Sequence, residues 1–220
     1  MGLVKRQGLK NTISSYIGIL IGFVSLIIIQ PKFLSPEIIG LSRVLFAFSS
    51  LLGSFLPLGG GNITIKYFPK FFNPKENHHG FFGFVLLFPI VGSLITFIVL
   101  LLFKDAIIAK YSAQSPLFAS YFYLVFPFCV FLGLTTLFNS YLSSIYKSTI
   151  PAYFSDIVVR LLYIILILLF YFQVIDIRNF VVGYVCIYSL QVLALLLYIK
   201  IEGHPSFKID WNKFKRENFS

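Results

Sequence analysis

The chain has 220 residues, of which 58% are hydrophobic and only 12% are charged, and its mean hydropathy is +0.88. This composition excludes a water-soluble globular domain. Since one membrane-spanning helix needs roughly 20 apolar residues in a row, the length leaves room for about six spans and little else. The chain is also basic, with 18 Lys and Arg against 8 Asp and Glu. A nucleic-acid-binding protein presents its cations on a soluble fold, so we expect no nucleic-acid partner.

Six apolar runs follow one another along the chain. They cover residues 12–30, 38–58, 81–103, 117–142, 156–172 and 180–199. Each run is apolar without the alternation that a membrane β-strand shows over about ten residues. In lipid every backbone polar group must be hydrogen-bonded within the protein, so helices are the remaining possibility. The sequence therefore predicts an all-α membrane protein, a bundle of six transmembrane helices in a lobe over residues 1–200.

The connections between the runs contain the helix-breaking residues. Pro31 is expected to end the first run, and no small-residue cleavage site follows that run, so we expect an uncleaved first span. The second run ends at Gly59-Gly60-Gly61, which we interpret as a flexible or closely packed helix end rather than a phosphate-binding nest. The polar stretch 62–80 is expected to lie in water or at the membrane interface.

The distribution of Lys and Arg predicts the orientation in the membrane. With the N-terminus inside, twelve of these cations fall in inner segments and four in outer loops. The positive-inside rule then makes both termini cytoplasmic. Residues 201–220 alternate aromatic and basic side chains, so we expect a basic interfacial tail with Trp211 at headgroup depth, or a linker to a missing second lobe. A fully solvated tail is the alternative.

No arrangement of residues points to covalent catalysis. The sequence contains no nucleophile elbow, no His-Glu-x-x-His and no phosphate-cradling loop. His78 and His79, beside Glu76, are interpreted as a solvated turn, with a metal or proton role as the alternative. We therefore predict no catalytic residue, no metal site and no cofactor.

Polar and helix-distorting residues within the spans are better candidates for function. Pro89 and Pro127 each remove an intrahelical hydrogen bond and permit a bend. Gly18 and Gly22 form a small-xxx-small pair that lets another helix approach closely.

Three charged residues occur in or near the ends of the spans: Arg43, Asp156 and Arg160. A cation in a bilayer costs about 2.5 to 3.5 kcal/mol on insertion scales, so such residues usually face a wet cavity or a partner. Asp156 and Arg160 could also form an i,i+4 pair that reaches to the inner interface. Weaker candidates near the inner mouth are Asn62, Lys66 and Asn139.

Several short motifs resemble those of a known transporter family. They are LSPEIIG at 34–40, PLGGGN at 57–62, KYFP at 66–69, NSYL at 139–142, KSTIP at 147–151 and RLL at 160–162. Together they resemble bacterial polysaccharide biosynthesis proteins, the oligosaccharide-lipid flippases of the multidrug/oligosaccharidyl-lipid/polysaccharide exporter superfamily.

The resemblance implies a transporter of two lobes and twelve to fourteen helices in the bacterial inner membrane. Such a protein translocates an isoprenoid-pyrophosphate-linked oligosaccharide, as in lipopolysaccharide synthesis, by alternating access. Six helices match the first lobe, so we expect a fragment, a truncated product or a half that pairs with a second lobe or second copy. The resemblance also implies that cations facing the cavity, here Arg43 and Arg160, meet the pyrophosphate.

Two other functions remain open at this point. A membrane-embedded glycosyl- or acyltransferase acting on a lipid-linked substrate would need a catalytic pair at a membrane face, and Glu76 with His78 or His79 could supply it. A multidrug or cation antiporter of the same superfamily would need a buried acid in the spans, for which Asp156 is the candidate.

Overall fold

The computed structural model describes residues 3–112, 115–202 and 205–216. Within these ranges it contains helices and no strand, and six of the helical stretches are long and apolar enough to cross a membrane. They are Gly8–Phe33, Pro36–Phe55, Pro74–Tyr111, Pro116–Ser144, Thr149–Tyr171 and Ile177–Glu202, called the first to sixth spans below. The prediction of an all-α, six-helix membrane bundle is confirmed.

The first span does not end at Pro31. It consists of α1 (Leu3–Val24), a π-helical turn (Ser25–Ile29) and α2 (Gln30–Phe33). Pro31 lies at the start of α2, where a missing backbone N–H is tolerated. The chain leaves the helix at Leu34, in extended conformation, and α3 (Pro36–Phe55) begins two residues later. The predicted end was therefore wrong by three residues.

The second span is followed by another helix that continues along the same neighbour. The predicted run 38–58 ends at Phe55, and α4 (Gly60–Phe71) takes in much of the stretch that was expected to be a polar loop. Gly53 packs on Cys129 of α7 (Val125–Ser144), and Gly60 packs on Leu137, two turns further along α7. Helices α3 and α4 therefore form two halves of one broken element, and α4 buries the face that contains Phe68.

The break at Leu56–Gly59 lies against the middle of the third apolar run of the sequence, 81–103. Leu58 and Gly59 have φ of 45° and 80°, a left-handed conformation that ends α3. The turn packs against Gly133 of α7 and against Gly92, the central residue of the apolar run 81–103 in α5 (Phe81–Ser112). Leu56 is fully buried there. Non-helical backbone at this depth is tolerated where protein covers it or where it lines a wet cavity.

The two prolines within predicted spans have different surroundings. Helix α5 runs on through Pro89, which is buried. Pro127 lies in the first turn of α7, after α6 (Pro116–Tyr121) and a 3₁₀ turn (Phe122–Leu124). The fourth span thus changes from 3₁₀ to α-helix just before Pro127. Because Pro127 has no backbone N–H, one hydrogen bond of the helix is missing there.

Helix α7 lies at the centre of the bundle and packs against α3, α4, α5 and α10 (Ile177–Glu202). The fifth span consists of α8 (Thr149–Tyr153), a π-helical turn (Phe154–Val158) and α9 (Val159–Tyr171), and the first span packs against it. Near the inner ends, Lys147 donates to Glu202 at 3.0 Å, which raises the pKa of the Lys147 amine.

The C-terminal segment folds back onto the inner ends of α4 and α5. Helix α11 (Trp211–Arg216) places Phe214 in a stack on Phe71, with 4.4 Å between the ring centroids. Phe214 is buried, whereas Trp211 stays 55% exposed. Of the predicted tail 201–220, residues 203, 204 and 217–220 lie outside the part that the structure describes.

We predict that Gly92→Ala lowers the free energy of unfolding by about 1–3 kcal/mol, the usual range for overpacking. An added Cβ would meet the Leu56 carbonyl, which belongs to the backbone of the Leu56–Gly59 turn and cannot rotate away. Gly40→Ala is the control, because its Cβ would meet nothing within 4 Å. Thermal unfolding in detergent measures both. Equal stability of the two variants would show that the turn is not tightly packed on α5.

Candidate functional site

A cavity of about 540 Å³ opens between the first span and the second, fifth and sixth spans. This volume is in the range of sites that hold a small ligand or headgroup. Much of the wall is apolar. The polar side chains that line it are Ser25, Gln30, Arg160, Tyr163, Tyr184 and Tyr188.

Arg160 lies deeper in the membrane than the sequence suggested. The fifth span begins at Thr149 instead of 156, so Arg160 is eleven residues from each end of Thr149–Tyr171. Its guanidinium donates a hydrogen bond to the backbone carbonyl of Gly18 in the first span. An added Cβ on Gly22 would overlap the same guanidinium, so this glycine makes room for it. The close approach predicted from Gly18 and Gly22 is confirmed, and its partner is the fifth span.

Asp156 also bonds to the first span. Its carboxylate accepts a hydrogen bond from Ser15 at 2.9 Å, while its backbone packs on Gly18. The neighbouring residue Ser155 points the other way and accepts from Gln191 of α10 at 2.8 Å. Both residues belong to the π-helical turn, whose wider spacing separates the directions of their side chains. Asp156 and Arg160 therefore bind the first span separately and do not form the i,i+4 ion pair.

Three tyrosines form a cluster on the cavity wall that Arg160 also lines. The rings of Tyr163 and Tyr184 are 4.9 Å apart, and those of Tyr184 and Tyr188 are 5.8 Å apart. Arg160 lines the cavity together with all three tyrosines. Arg43 lines a separate hollow at the start of α3, with Pro36 and Gly40.

Arg43 itself is exposed on the side of α3 that faces away from α7. It lies seven residues from the start of α3, about 10 Å along the helix axis. Ala47, Ser50 and Ser54 follow at helical spacing on the same side, and the two serine hydroxyls donate to carbonyls of their own helix. We call this stripe the α3 polar face. A polar face with a bare arginine is costly against lipid.

The three weaker candidates lie apart from the cavity. Asn62 and Lys66 are exposed on α4, one turn apart. Asn139 is on α7, and its Oδ1 atom is buried without a hydrogen-bond partner. These residues follow the inner half of the broken element rather than lining the cavity.

Sequence reasoning missed the tyrosines and Gln30. Tyr184 and Tyr188 are four residues apart in an apolar run, so they share a helix face, and this spacing could have been noticed. Gln30 is 6% exposed and donates to Ser25 across the π-helical turn of the first span, at 3.5 Å. No sequence pattern indicated that turn.

His78 and His79 do not lie in a solvated turn, so that interpretation was wrong. His78 is 2% exposed; its Nδ1 atom accepts the backbone N–H of Asn73, and its ring packs on Phe68. His79 lies between Glu76, at 3.1 Å from Nε2, and Asp210, at 3.6 Å from Nδ1. In the described part of the chain no three His, Cys, Asp or Glu side chains are grouped as metal ligands. His79 thus contacts the C-terminal segment through Asp210, whereas His78 packs within the loop and α4.

We predict that Gly18→Ala destabilises the protein by about 1–3 kcal/mol and that Gly22→Ala does so much less. At Gly18 the new Cβ would meet the backbone carbonyl of Asp156 at 2.7 Å, so the first and fifth spans must move apart. At Gly22 it meets only the end of the flexible Arg160 side chain. Denaturation in detergent compares the two matched variants, and a larger loss at Gly22 would contradict the prediction.

The chain was compared with known proteins at three levels. No family model, no curated protein and no solved structure matches it. The arguments about function that follow therefore depend on the cavity, the tyrosine cluster and the α3 polar face.

Proposed function

We propose that this multi-pass membrane protein translocates an isoprenoid-pyrophosphate-linked oligosaccharide across the bacterial inner membrane, as one lobe of an alternating-access flippase. The observation that carries the proposal is the position of Arg160. Its guanidinium lies halfway along the fifth span and faces a cavity of about 540 Å³.

The chemistry of the cavity suits an anionic headgroup on a lipid. A guanidinium stays charged at mid-membrane and presents a planar fork of donors that fits phosphate oxygens. The neighbouring hydroxyls of Tyr184 and Tyr188 can add neutral donors. The cavity opens between the first and second spans, and the apolar part of its wall suits a lipid chain.

The α3 polar face supports a role as one of two lobes. Arg43 and Ser54 are exposed on the side of α3 opposite to its buried face, and Ser50 is half-buried on the same side. Exposed to lipid, the arginine alone would cost about 2.5 to 3.5 kcal/mol on insertion scales. A second lobe, or a second copy of the chain, would enclose this face in a wet path. In transporters the substrate path commonly runs between such halves, near broken helices.

The transferase alternative receives less support from the geometry. Both ring nitrogens of His79 face carboxylates, those of Glu76 and Asp210, and His78 is buried between aromatic rings. A general base must reach the proton of its substrate directly or through one water. The Glu76 and His79 contacts instead join the inner loop to the C-terminal segment.

The proposal predicts that Arg160→Ala and Arg43→Ala each reduce glycan export by about tenfold or more, since one charged hydrogen bond contributes about 1.5–3 kcal/mol. The measurement is export by cells in which the variant replaces the full transporter, with membrane levels checked by immunoblot. Arg160→Lys and Arg43→Lys keep the charge and should retain part of the activity.

The control is Lys110→Ala, which removes an exposed cation near the outer end of α5, away from the cavity. Unchanged export by both arginine variants at normal expression would remove these residues from the site. The proposed function would then lose its main support.

A further inference from the structure

Helix α4 carries two lysines beside one fixed aromatic ring. The Nζ atom of Lys66 lies 4.8 Å from the centroid of the Tyr67 ring, and the Nζ atom of Lys70 lies 5.4 Å from it. Tyr67 is only 9% exposed, whereas both lysines are exposed. A buried ring with a negative π-face therefore attracts both ammonium groups at the surface. We call Lys66 and Lys70 the lysine pair.

No carboxylate in the described residues neutralises the lysine pair. The acids described on the inner side have other partners: Glu76 and Asp210 contact His79, Glu202 contacts Lys147, and Asp156 contacts Ser15. Like charges four residues apart on a helix repel each other. The lysine pair therefore concentrates positive charge at one place, and the repulsion between its two ammonium groups slightly destabilises α4.

The position of the lysine pair connects it to the polar path. Helix α4 is the inner half of the broken element, and the pair lies in its second half, toward the inner interface. Asn62 is exposed one turn closer to the middle of the membrane, on the side that Lys66 shares. Beyond the turn at Leu56–Gly59, the α3 polar face continues through Ser54 and Ser50 to Arg43. Exposed polar side chains therefore occur on both halves of the broken element.

We propose that the lysine pair is a capture site for the diphosphate headgroup of a lipid in the inner leaflet. This inference rests on the proposed function and adds a second binding site to it, separate from the cavity at Arg160. A diphosphate carries more negative charge than the single phosphodiester of an ordinary phospholipid, so it gains more from two ammonium groups. Lysine binds phosphate as a flexible point charge, which suits a site that must hand its ligand onward.

The test measures the binding of a polyprenyl diphosphate to the full chain in phosphatidylcholine nanodiscs, for instance by native mass spectrometry. Lys66→Gln/Lys70→Gln should weaken binding by about tenfold or more, because two charge-assisted contacts are lost. Tyr67→Leu, which keeps a buried apolar side chain but removes the ring, should weaken it by about two- to fivefold. Lys75→Gln/Lys200→Gln is the matched control, since it removes two exposed cations from the same side of the membrane.

Each outcome of this binding experiment either supports or overturns the capture site. If only the lysine-pair variant loses binding, the capture site is supported. If the control pair loses as much, the attraction is a general property of the basic surface and the proposal is overturned. If phosphatidylglycerol or free inorganic pyrophosphate competes as well as the polyprenyl diphosphate, the assignment to a lipid diphosphate is overturned.

The failure of this inference can be told from the failure of the proposed function. If the lysine-pair variant binds normally while Arg160→Ala loses binding, the capture site is wrong and the transporter proposal stands. If the unaltered protein does not bind the lipid diphosphate at all, both fail together. Far-ultraviolet circular dichroism and thermal unfolding check that the exposed substitutions on α4 leave the fold unchanged.

Discussion

The cost of unpaired polar groups in hydrocarbon is the constraint on which the rest of this structure depends. A buried polar group without a hydrogen bond costs several kcal/mol in lipid, so backbone that leaves the helical ladder must be covered. The break between α3 and α4 satisfies this condition because Gly92 and Gly133 let α5 and α7 approach the turn. The side chains of the α3 polar face are not fully covered by other helices of the bundle. The same cost implies that they line a wet path or contact a partner.

Two π-helical turns shape the candidate site in a related way. The turn in the first span places Ser25 and Gln30 on the wall of the cavity, and the turn in the fifth span sends Ser155 and Asp156 to different neighbours. Such turns often occur at functional sites. The hydrogen-bonded backbone ring of a π-helical turn is wider than that of an α-helix, which changes the direction of the side chains that follow. Here they allow one helix to make polar bonds to two neighbours and still hold Arg160 at mid-span.

Much of the fold followed from the sequence, whereas the geometry of the site did not. Run length and hydropathy predicted all six spans, since each must bury about 30 Å of helix in lipid. Gly18 and Gly22 predicted a close helix contact but could not identify the fifth span as the partner. The stretch 62–80 looked like a loop because its charges are visible in sequence, while the buried face formed by Thr64, Phe68 and Phe71 appears only when it is placed on a helix against α7.

The sequence by itself determined the class of protein, the number of spans and the presence of two arginines that need a partner or water, because these depend on composition and on the energy of transfer into lipid. Only the tertiary structure decided that Arg160 lies at mid-span beside a cavity, that three tyrosines share that cavity, and that α4 continues the line of the second span. Those features depend on contacts between residues far apart in the sequence, such as Gly18 with Asp156 and Gly60 with Leu137. No local pattern of hydropathy or charge encodes such a contact.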